Sequence, residues 1–259
     1  MARPLTGRGT KGTSRSLTRG FGAGRGTIPG VSRRAVVGSA LAALIALIAA
    51  DLLASRVAPG PDVAVGLGLV AVLGLVARVA GLSPADLGLA RSSRRAGLRW
   101  GAAAAAIPLA AFAIALALPP LRDAGSDIGA PSWPAAMISV LVVIPLGTVI
   151  HEELAFRGVL FGLLRRERGR RAAVLGSSTL FGLWHVVPAL AGGPTNTAIA
   201  DAVGSGAGGT VLRVAGTVLL TAMGGLVLCE LRIRSGSLLA PILLHWAVNA
   251  GGVLFVMLA

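Results

Sequence analysis

Three hydrophobic segments of this 259-residue chain each contain side chains that can transfer a proton. Residues 149–158 read V-I-H-E-E-L-A-F-R-G, residues 180–185 read L-F-G-L-W-H, and residues 243–249 read L-L-H-W-A-V-N. Ionisable groups are costly inside apolar segments and are therefore functional candidates by default. The chain has only three His residues, and each of them lies in one of these segments.

The first segment holds two adjacent carboxylates. On a helix, Glu152 and Glu153 project about 100° apart, so the two cannot do the same job. Glu153 and Arg157 are four residues apart, a spacing at which an ion pair forms along one helix face. Glu152 is then left to act elsewhere. A structural ion pair beside a solvated Glu152 is the alternative, but it does not explain the second acid.

His151-Glu152 also begins the zinc-protease pattern H-E-x-x-H. The second His of that pattern would stand at position 155, which is Ala155. We therefore interpret His151 as a helix-packing or interfacial residue rather than a metal ligand.

The second and third segments each place a His four residues from a potential partner. Phe181 and His185 share one helix face, and so do His245 and Asn249. Taken singly, a His in an apolar helix is more often a packing residue, and an Asn often joins two helices. Two mid-span His residues, each on a helix that could face Glu152, make independent packing roles the less favoured interpretation.

These residue types suit peptide hydrolysis by an activated water. A carboxylate and an imidazole can take the proton of one water. A second imidazole and an amide can stabilise the oxyanion that forms when this water attacks a carbonyl. Glu152, His185 and His245 could instead hold a zinc ion with an open fourth position, and the spacing leaves both chemistries open. No Ser or Cys has the setting of an activated nucleophile, which disfavours a serine protease.

Membrane-spanning helices must position these groups. Hydrophobic residues make up 54% of the chain and charged residues 13%, against a usual charged share of roughly 25% in soluble domains. The sequence therefore predicts an all-α polytopic bundle of about seven spans, each about 17–25 residues long. The predicted spans are 35–58, 63–81, 98–118, 134–156, 172–191, 210–229 and 237–258.

The basic residues predict the orientation of the bundle. With the N-terminus in the cytoplasm, all but three of the 24 Lys and Arg residues fall on the inner side. Residues 1–34 contain many of them and no acid, which predicts a disordered basic cytoplasmic tail before a transmembrane domain at 35–259. The outer-side basic residues are Arg56, Arg122 and Arg213.

The composition also bears on partners and localisation. A net charge of +14 could indicate nucleic acid, but the chain has no Tyr, six Phe and four Trp, which is too few aromatics for a base-stacking platform. We therefore expect no nucleic-acid partner. The strong preference for Arg over Lys, with abundant Ala and Gly, is compatible with a GC-rich bacterial genome. The expected location is a bacterial cell membrane.

The depth of the candidate residues poses one difficulty. At about 1.5 Å per residue, the predicted cytoplasmic ends place Glu152 near the interface and His185 roughly 20 Å deeper. Residues 159–171 (VLFGLLRRERGRR) are expected to leave the membrane as an amphipathic cytoplasmic turn. A common site requires the fourth helix to continue past Arg157 or the fifth helix to begin later.

The three motifs together resemble one protein family. E-E-x-x-x-R (Glu152, Glu153, Arg157), F-x-x-x-H and H-x-x-x-N, in this order and in separate spans, resemble the CPBP family of intramembrane proteases, also called the CAAX-protease, bacteriocin-processing or Abi family. The resemblance covers a protease-like core at about residues 134–255. A looser likeness includes the S-P-A-D-L-G-L stretch at 83–89.

The resemblance implies a seven- or eight-helix core with a catalytic cavity open towards the cytoplasm. The catalytic set that it implies is Glu152, His185, His245 and Asn249, and the supporting set is Glu153, Arg157 and Phe181. The first two catalytic residues would activate water, and the other two would form the oxyanion site. The resemblance leaves zinc dependence open, and a bound metal would take Glu152, His185 and His245 as ligands. Eukaryotic members remove the last three residues of prenylated proteins, an activity we do not carry over because bacteria generally lack such substrates.

The favoured function is an intramembrane endopeptidase of the glutamate or metalloprotease type. Its partners would be the lipid bilayer and a membrane-embedded or membrane-proximal peptide substrate. A non-catalytic membrane scaffold or bacteriocin-immunity protein of the same family is the main alternative. An ion-coupled transporter is disfavoured, because the sequence shows none of the inverted repeats common in transporters.

Overall fold

The fold is described by a computed structural model over residue 38 and residues 62–126, 129–191, 204 and 206–259. These residues form helices and contain no strand, so the chain is all-α. The α-helices are α1 (Asp62–Val79), α2 (Arg94–Ala117), α3 (Pro119–Ser126), α4 (Trp133–Ile138), α5 (Ile150–Glu153), α6 (Phe161–Trp184), α7 (Val186–Ala191), α8 (Ala207–Ser235) and α9 (Leu239–Leu258). The predicted tail (1–34) and the first predicted span (35–58) lie outside the described residues, apart from residue 38.

Five helical segments in the described ranges are long and apolar enough to cross a membrane. They are Asp62–Val79, Arg91–Ala117, Trp133–Leu190, Ala207–Ser235 and Leu239–Leu258. The second, third, sixth and seventh predicted spans each overlap one of them, and the fourth and fifth both fall within the third segment. The chain is therefore a multi-pass helical membrane protein.

The long segment Trp133–Leu190 contains two helices that fold back on each other. Gly169, inside α6, has φ 84° and ψ −179°, a backbone conformation essentially restricted to Gly. After this turn the chain packs against the preceding helix, where the Ser177 hydroxyl donates a hydrogen bond to the carbonyl oxygen of Phe156 at 2.8 Å. We call these two helices the hairpin.

The hairpin explains how Glu152 and His185, which the predicted spans place at different depths, can lie close in depth. Its first helix continues past Arg157 as far as Gly169, so Glu152 does not lie at the end of a helix. Glu152 precedes Gly169 by seventeen residues and His185 follows it by sixteen. At about 1.5 Å per residue, both lie about 25 Å along their helices from the turn. The hairpin thereby brings the two residues to a similar depth.

The helix that carries the two Glu residues departs from α geometry on both sides of them. Segments Ser139–Val149 and Leu154–Leu160 are π-helical, and α5 lies between them. Pro145 lies in the first segment and has no N–H to donate, which favours a local departure from the α pattern. Short π-helical insertions occur frequently at functional sites.

Glycines allow α8 to pack closely on the hairpin. A Cβ atom at Gly182 would lie 2.6 Å from the carbonyl oxygen of Val218, and one at Gly225 would lie 3.0 Å from the Cα atom of Ser178. Small residues let transmembrane helices approach in this way. The close contact places α8 directly against the helices that carry Glu152 and His185.

The connection between α1 and α2 is fastened to the hairpin by ion pairs and hydrogen bonds. The carboxylate of Asp86 accepts hydrogen bonds from the Ser83 N–H (2.8 Å) and hydroxyl (2.5 Å). Arg166, on α6, pairs with the same carboxylate at 2.6 Å. Arg232, on α8, is 2% exposed and donates to the backbone carbonyl of Asp86 at 3.0 Å. Residues 83–89 are thus held against two helices, α6 and α8.

These contacts make stability depend on pH. Partial burial by itself raises the pKa of Asp86, but the hydrogen bonds from Ser83 and the charge of Arg166 outweigh it, and the pKa lies below its ordinary value of 3.8. A lowered folded-state pKa stabilises the fold above about pH 4, and this stabilisation is lost as the pH falls through the folded-state value. Asp86→Asn is therefore expected to lower the unfolding temperature at neutral pH, and its difference from the wild type is expected to shrink as the pH falls below about 4.

Thermal unfolding in detergent micelles across this pH range measures the effect. Asp123→Asn is the control, because Asp123 is exposed and lies 3.5 Å from Arg122. A destabilisation by Asp86→Asn that is the same at both ends of the pH range would contradict the assignment.

Candidate active site

Glu153 lies at the centre of a buried network. Its side chain and that of Arg157 are both 0% exposed, and Arg157 Nη1 donates to Glu153 Oε1 at 3.0 Å, forming the ion pair that the four-residue spacing predicts. His245 Nδ1 lies 2.9 Å from the same oxygen. Because a carboxylate oxygen only accepts, Nδ1 carries the hydrogen of this bond. The contact joins α9 to the helix that carries both Glu residues.

Glu152 is buried beside the same imidazole. His245 Nε2 lies 3.9 Å from Glu152 Oε2, which is too far for a direct hydrogen bond. The other carboxylate oxygen, Oε1, accepts a hydrogen bond from the indole N–H of Trp184 at 3.4 Å. Oε2 is buried and has no hydrogen-bond partner among the described residues. From the sequence, we expect Glu152 and Glu153 to act separately. In the structure, His245 contacts Glu153 and lies close to Glu152.

The Phe181 ring contacts a guanidinium and two imidazoles. The guanidinium carbon of Arg157 lies 4.0 Å from the centre of its ring, a cation–π distance. The rings of His185 and His245 meet it edge to face, with centroid distances of 4.8 and 5.8 Å. Phe156 packs on it in the same manner at 5.2 Å. This residue, expected to support the site, contacts both candidate imidazoles.

His185 lies just beyond the last residue of α6 and is half-buried. Its Nδ1 atom is 2.8 Å from the carbonyl oxygen of Phe181. A carbonyl only accepts, so Nδ1 carries the hydrogen of this bond. The contact fixes the orientation of the imidazole, as a backbone carbonyl commonly does for a functional His.

Asn249 lies one turn beyond His245 on α9 and is half-buried. Between them, the indole N–H of Trp246 donates to the carbonyl oxygen of Val140 at 2.9 Å. This bond fastens α9 to the π-helical segment Ser139–Val149. His245 and Asn249 are four residues apart on α9, so they share one face of this helix, as their spacing predicts.

Several buried polar atoms in this cluster lack hydrogen-bond partners within the described part of the chain. An unpaired buried polar group costs about 1–3 kcal/mol, more if charged, so such atoms call for a functional explanation. Two carboxylates and one guanidinium also leave one negative charge, which an imidazolium at His245 would balance. The unpaired atoms are His151 Nδ1, Glu152 Oε2, Glu153 Oε2, Arg157 Nε and Arg157 Nη2.

The metal ligands expected from the sequence are Glu152, His185 and His245. Within the described residues, no group of three or more His, Cys, Asp or Glu side chains lies close enough together to hold one ion as they stand. His245 Nδ1 binds Glu153, which leaves Nε2, 3.9 Å from Glu152 Oε2, as the ring nitrogen available to a metal or to a water. Zinc dependence stays a prediction.

Two further residues belong to the environment of the site. Trp184, which the sequence motifs did not single out, binds Glu152; its indole N–H, a donor that usually finds a partner when buried, is the signal that could have identified it. His151 is 7% exposed, so its side chain packs inside the helical bundle.

Comparison with known proteins gives one match. The model of a family described as type II CAAX prenyl endopeptidase Rce1-like matches residues 131–251. Comparisons with curated proteins and with solved structures give no match. The matched range nearly coincides with the predicted protease-like core at 134–255, whereas the looser likeness at 83–89 falls outside it. The match supports an intramembrane CAAX endopeptidase in general. Residues 131–251 therefore match the Rce1-like family of CAAX endopeptidases, in agreement with the resemblance of the three motifs to the CPBP family.

Proposed function

We propose that this protein is an intramembrane endopeptidase in which Glu152 and His185 activate the attacking water. The observation that carries the proposal is the unpaired oxygen Glu152 Oε2, buried among transmembrane helices and 3.9 Å from His245 Nε2. A water about 2.8 Å from each of these two atoms would satisfy both. Glu152 is then placed to take a proton from that water.

The proposed reaction needs only side chains of this chain. Glu152 takes one proton of the water, the resulting hydroxide attacks the peptide carbonyl carbon, and the proton passes to the leaving amine as the C–N bond breaks. The imidazole of His185 is proposed to orient the water. No covalent bond to the enzyme forms, which fits the absence of a candidate Ser or Cys nucleophile in the sequence.

His245 and Asn249 are proposed to bind the oxyanion. Because His245 Nδ1 donates to Glu153, its Nε2 can donate to an oxyanion only when the ring is an imidazolium. That form also balances the charge of two carboxylates and one guanidinium. The Asn249 amide provides a second donor. Glu153 and Arg157 are proposed to orient His245, a role that a carboxylate commonly plays for a functional imidazole.

The proposed substrate is a membrane-embedded or membrane-proximal peptide segment. The site lies on helices that cross the bilayer, so a cleavable bond must enter the membrane or lie beside it. We propose a non-prenylated peptide, because the composition is typical of a bacterial chain and bacteria generally lack prenylated proteins. Prenylated and unmodified versions of one reporter peptide would separate the two substrate classes.

Cleavage of a reporter peptide library by the protein in proteoliposomes tests the proposal. Both Glu152→Ala and His185→Ala are expected to abolish cleavage. Glu230→Ala is the matched control, because Glu230 is an exposed carboxylate outside the site. Full activity in either site variant would overturn the mechanism. Peptide binding without cleavage by the wild type would favour a non-catalytic scaffold.

The same assay separates the two water-activation chemistries. Activity that survives treatment with a chelator would support direct activation of the water by Glu152. Elemental analysis of the active protein before and after treatment shows whether the chelator removes a bound metal. Loss of activity together with one zinc per chain would select the metalloprotease mechanism instead.

A further inference from the structure

We propose that Trp184 is a positioning residue that determines which oxygen of Glu152 acts as the base; this inference rests on the proposed function. The indole Nε1–H donates to Oε1 at 3.4 Å. The other oxygen, Oε2, is buried without a partner and faces His245 Nε2 at 3.9 Å. The indole N–H thus binds one of the two otherwise equivalent carboxylate oxygens of Glu152 and leaves the other without a partner.

A carboxylate needs a hydrogen-bond donor of this kind to hold one of its oxygens in a fixed position beside the water. Rotation about its terminal torsion exchanges Oε1 and Oε2, and this torsion has broad, roughly two-fold preferences. A donor on Oε1 opposes the rotation and also withholds that oxygen from the water. Oε2 then remains as the base, beside the imidazole of His245.

The surroundings hold the indole in place. Trp184 is 8% exposed, and its ring meets that of Phe156 at 6.3 Å with an interplanar angle of 61°. It is the last residue of α6 and directly precedes His185. One helix end therefore fixes both the carboxylate, through the indole, and the candidate imidazole that completes water activation.

The chain offers a matched control for the loss of an indole N–H. Trp246 donates its N–H to a neutral acceptor, the carbonyl oxygen of Val140, at 2.9 Å. Trp246→Phe removes a partly buried hydrogen bond of the same donor without changing a contact of Glu152. Any general effect of replacing a membrane-buried Trp by Phe appears in both variants, whereas an effect on the base appears only in Trp184→Phe.

Steady-state kinetics on the reporter peptide in proteoliposomes give the first test. Trp184→Phe is expected to lower kcat about tenfold with KM unchanged, since a hydrogen bond to a charged group is lost. Trp246→Phe removes no contact of Glu152 and is expected to lower kcat clearly less than Trp184→Phe does. Equal losses of kcat in the two variants, or a change in KM alone, would overturn the positioning role.

Ultraviolet resonance Raman spectroscopy of the indole N–H band gives a second test that does not require activity. Glu152→Ala is expected to shift the band of one Trp towards weaker hydrogen bonding, and the shift should vanish in the Trp184→Phe background. An unchanged band in Glu152→Ala would show that Trp184 does not bind Glu152. If the wild type cleaves nothing, the proposed function fails, and the Raman result alone decides whether this contact exists.

Discussion

Replacing Glu152 by Gln is expected to slow peptide cleavage by about 10²–10⁴-fold, the usual contribution of a positioned general base. Gln keeps the shape of the side chain, and its carbonyl oxygen can still accept the hydrogen bond from Trp184. The amide cannot take a proton from water, so the chemical step is lost while the fold is kept. Initial rates on the reporter peptide in proteoliposomes measure the effect.

Glu230→Gln is the control for this substitution. Glu230 lies on α8 and pairs with Arg170 and Arg234 at the protein surface. The same chemical change there is expected to leave the rate of cleavage unchanged. Cleavage by Glu152→Gln at the wild-type rate would remove Glu152 from the mechanism.

Replacing Arg157 by Leu is expected to destabilise the protein by about 3–5 kcal/mol, the usual cost of removing one partner of a buried ion pair. The substitution leaves the fully buried carboxylate of Glu153 with His245 as its remaining partner. It also removes the cation from the face of the Phe181 ring. Chemical denaturation in mixed micelles, followed by circular dichroism, gives the free energy of unfolding.

The chain contains an exposed ion pair with the same spacing. Arg234 Nε lies 2.8 Å from Glu230 Oε1, four residues earlier on α8. Arg234→Leu is expected to change stability little, because surface pairs contribute little. The double variant Glu153→Gln/Arg157→Leu should recover part of the loss, since no buried carboxylate remains unpaired. Equal destabilisation by Arg157→Leu and Arg234→Leu would contradict the network.

Much of the candidate site could be predicted from the spacing of residues that lie close together in the sequence. The four-residue separation of Glu153 and Arg157 predicts their ion pair, because neighbours on a helix face are set by the helix repeat alone. The hydrophobic segments predict the all-α multi-pass fold, because bilayer thickness sets the length of a span. The roles of Glu152, His185, His245 and Asn249 remain predictions, as does the basic tail at 1–34.

Long-range packing could not be predicted in the same way. The Arg-rich run after Val159 predicts a turn between two spans, but it does not predict that the helix continues as far as Gly169, where a single Gly conformation reverses the chain. The position of His245 beside both Glu residues depends on how α9 packs against another helix. The burial of Arg232 depends on the carbonyl groups of residues 83–89, which are far away in sequence.

The most direct test of the central claim is mass spectrometry of reporter peptides incubated with the protein in proteoliposomes prepared in H₂¹⁸O. We expect the wild type to yield a fragment whose new C-terminal carboxyl carries one oxygen from the solvent, and Glu152→Gln to form this fragment about 10²–10⁴-fold more slowly. A wild type that leaves every peptide intact, or a Glu152→Gln variant that gives the same labelled fragment at the same rate, would contradict hydrolysis by a water that Glu152 activates.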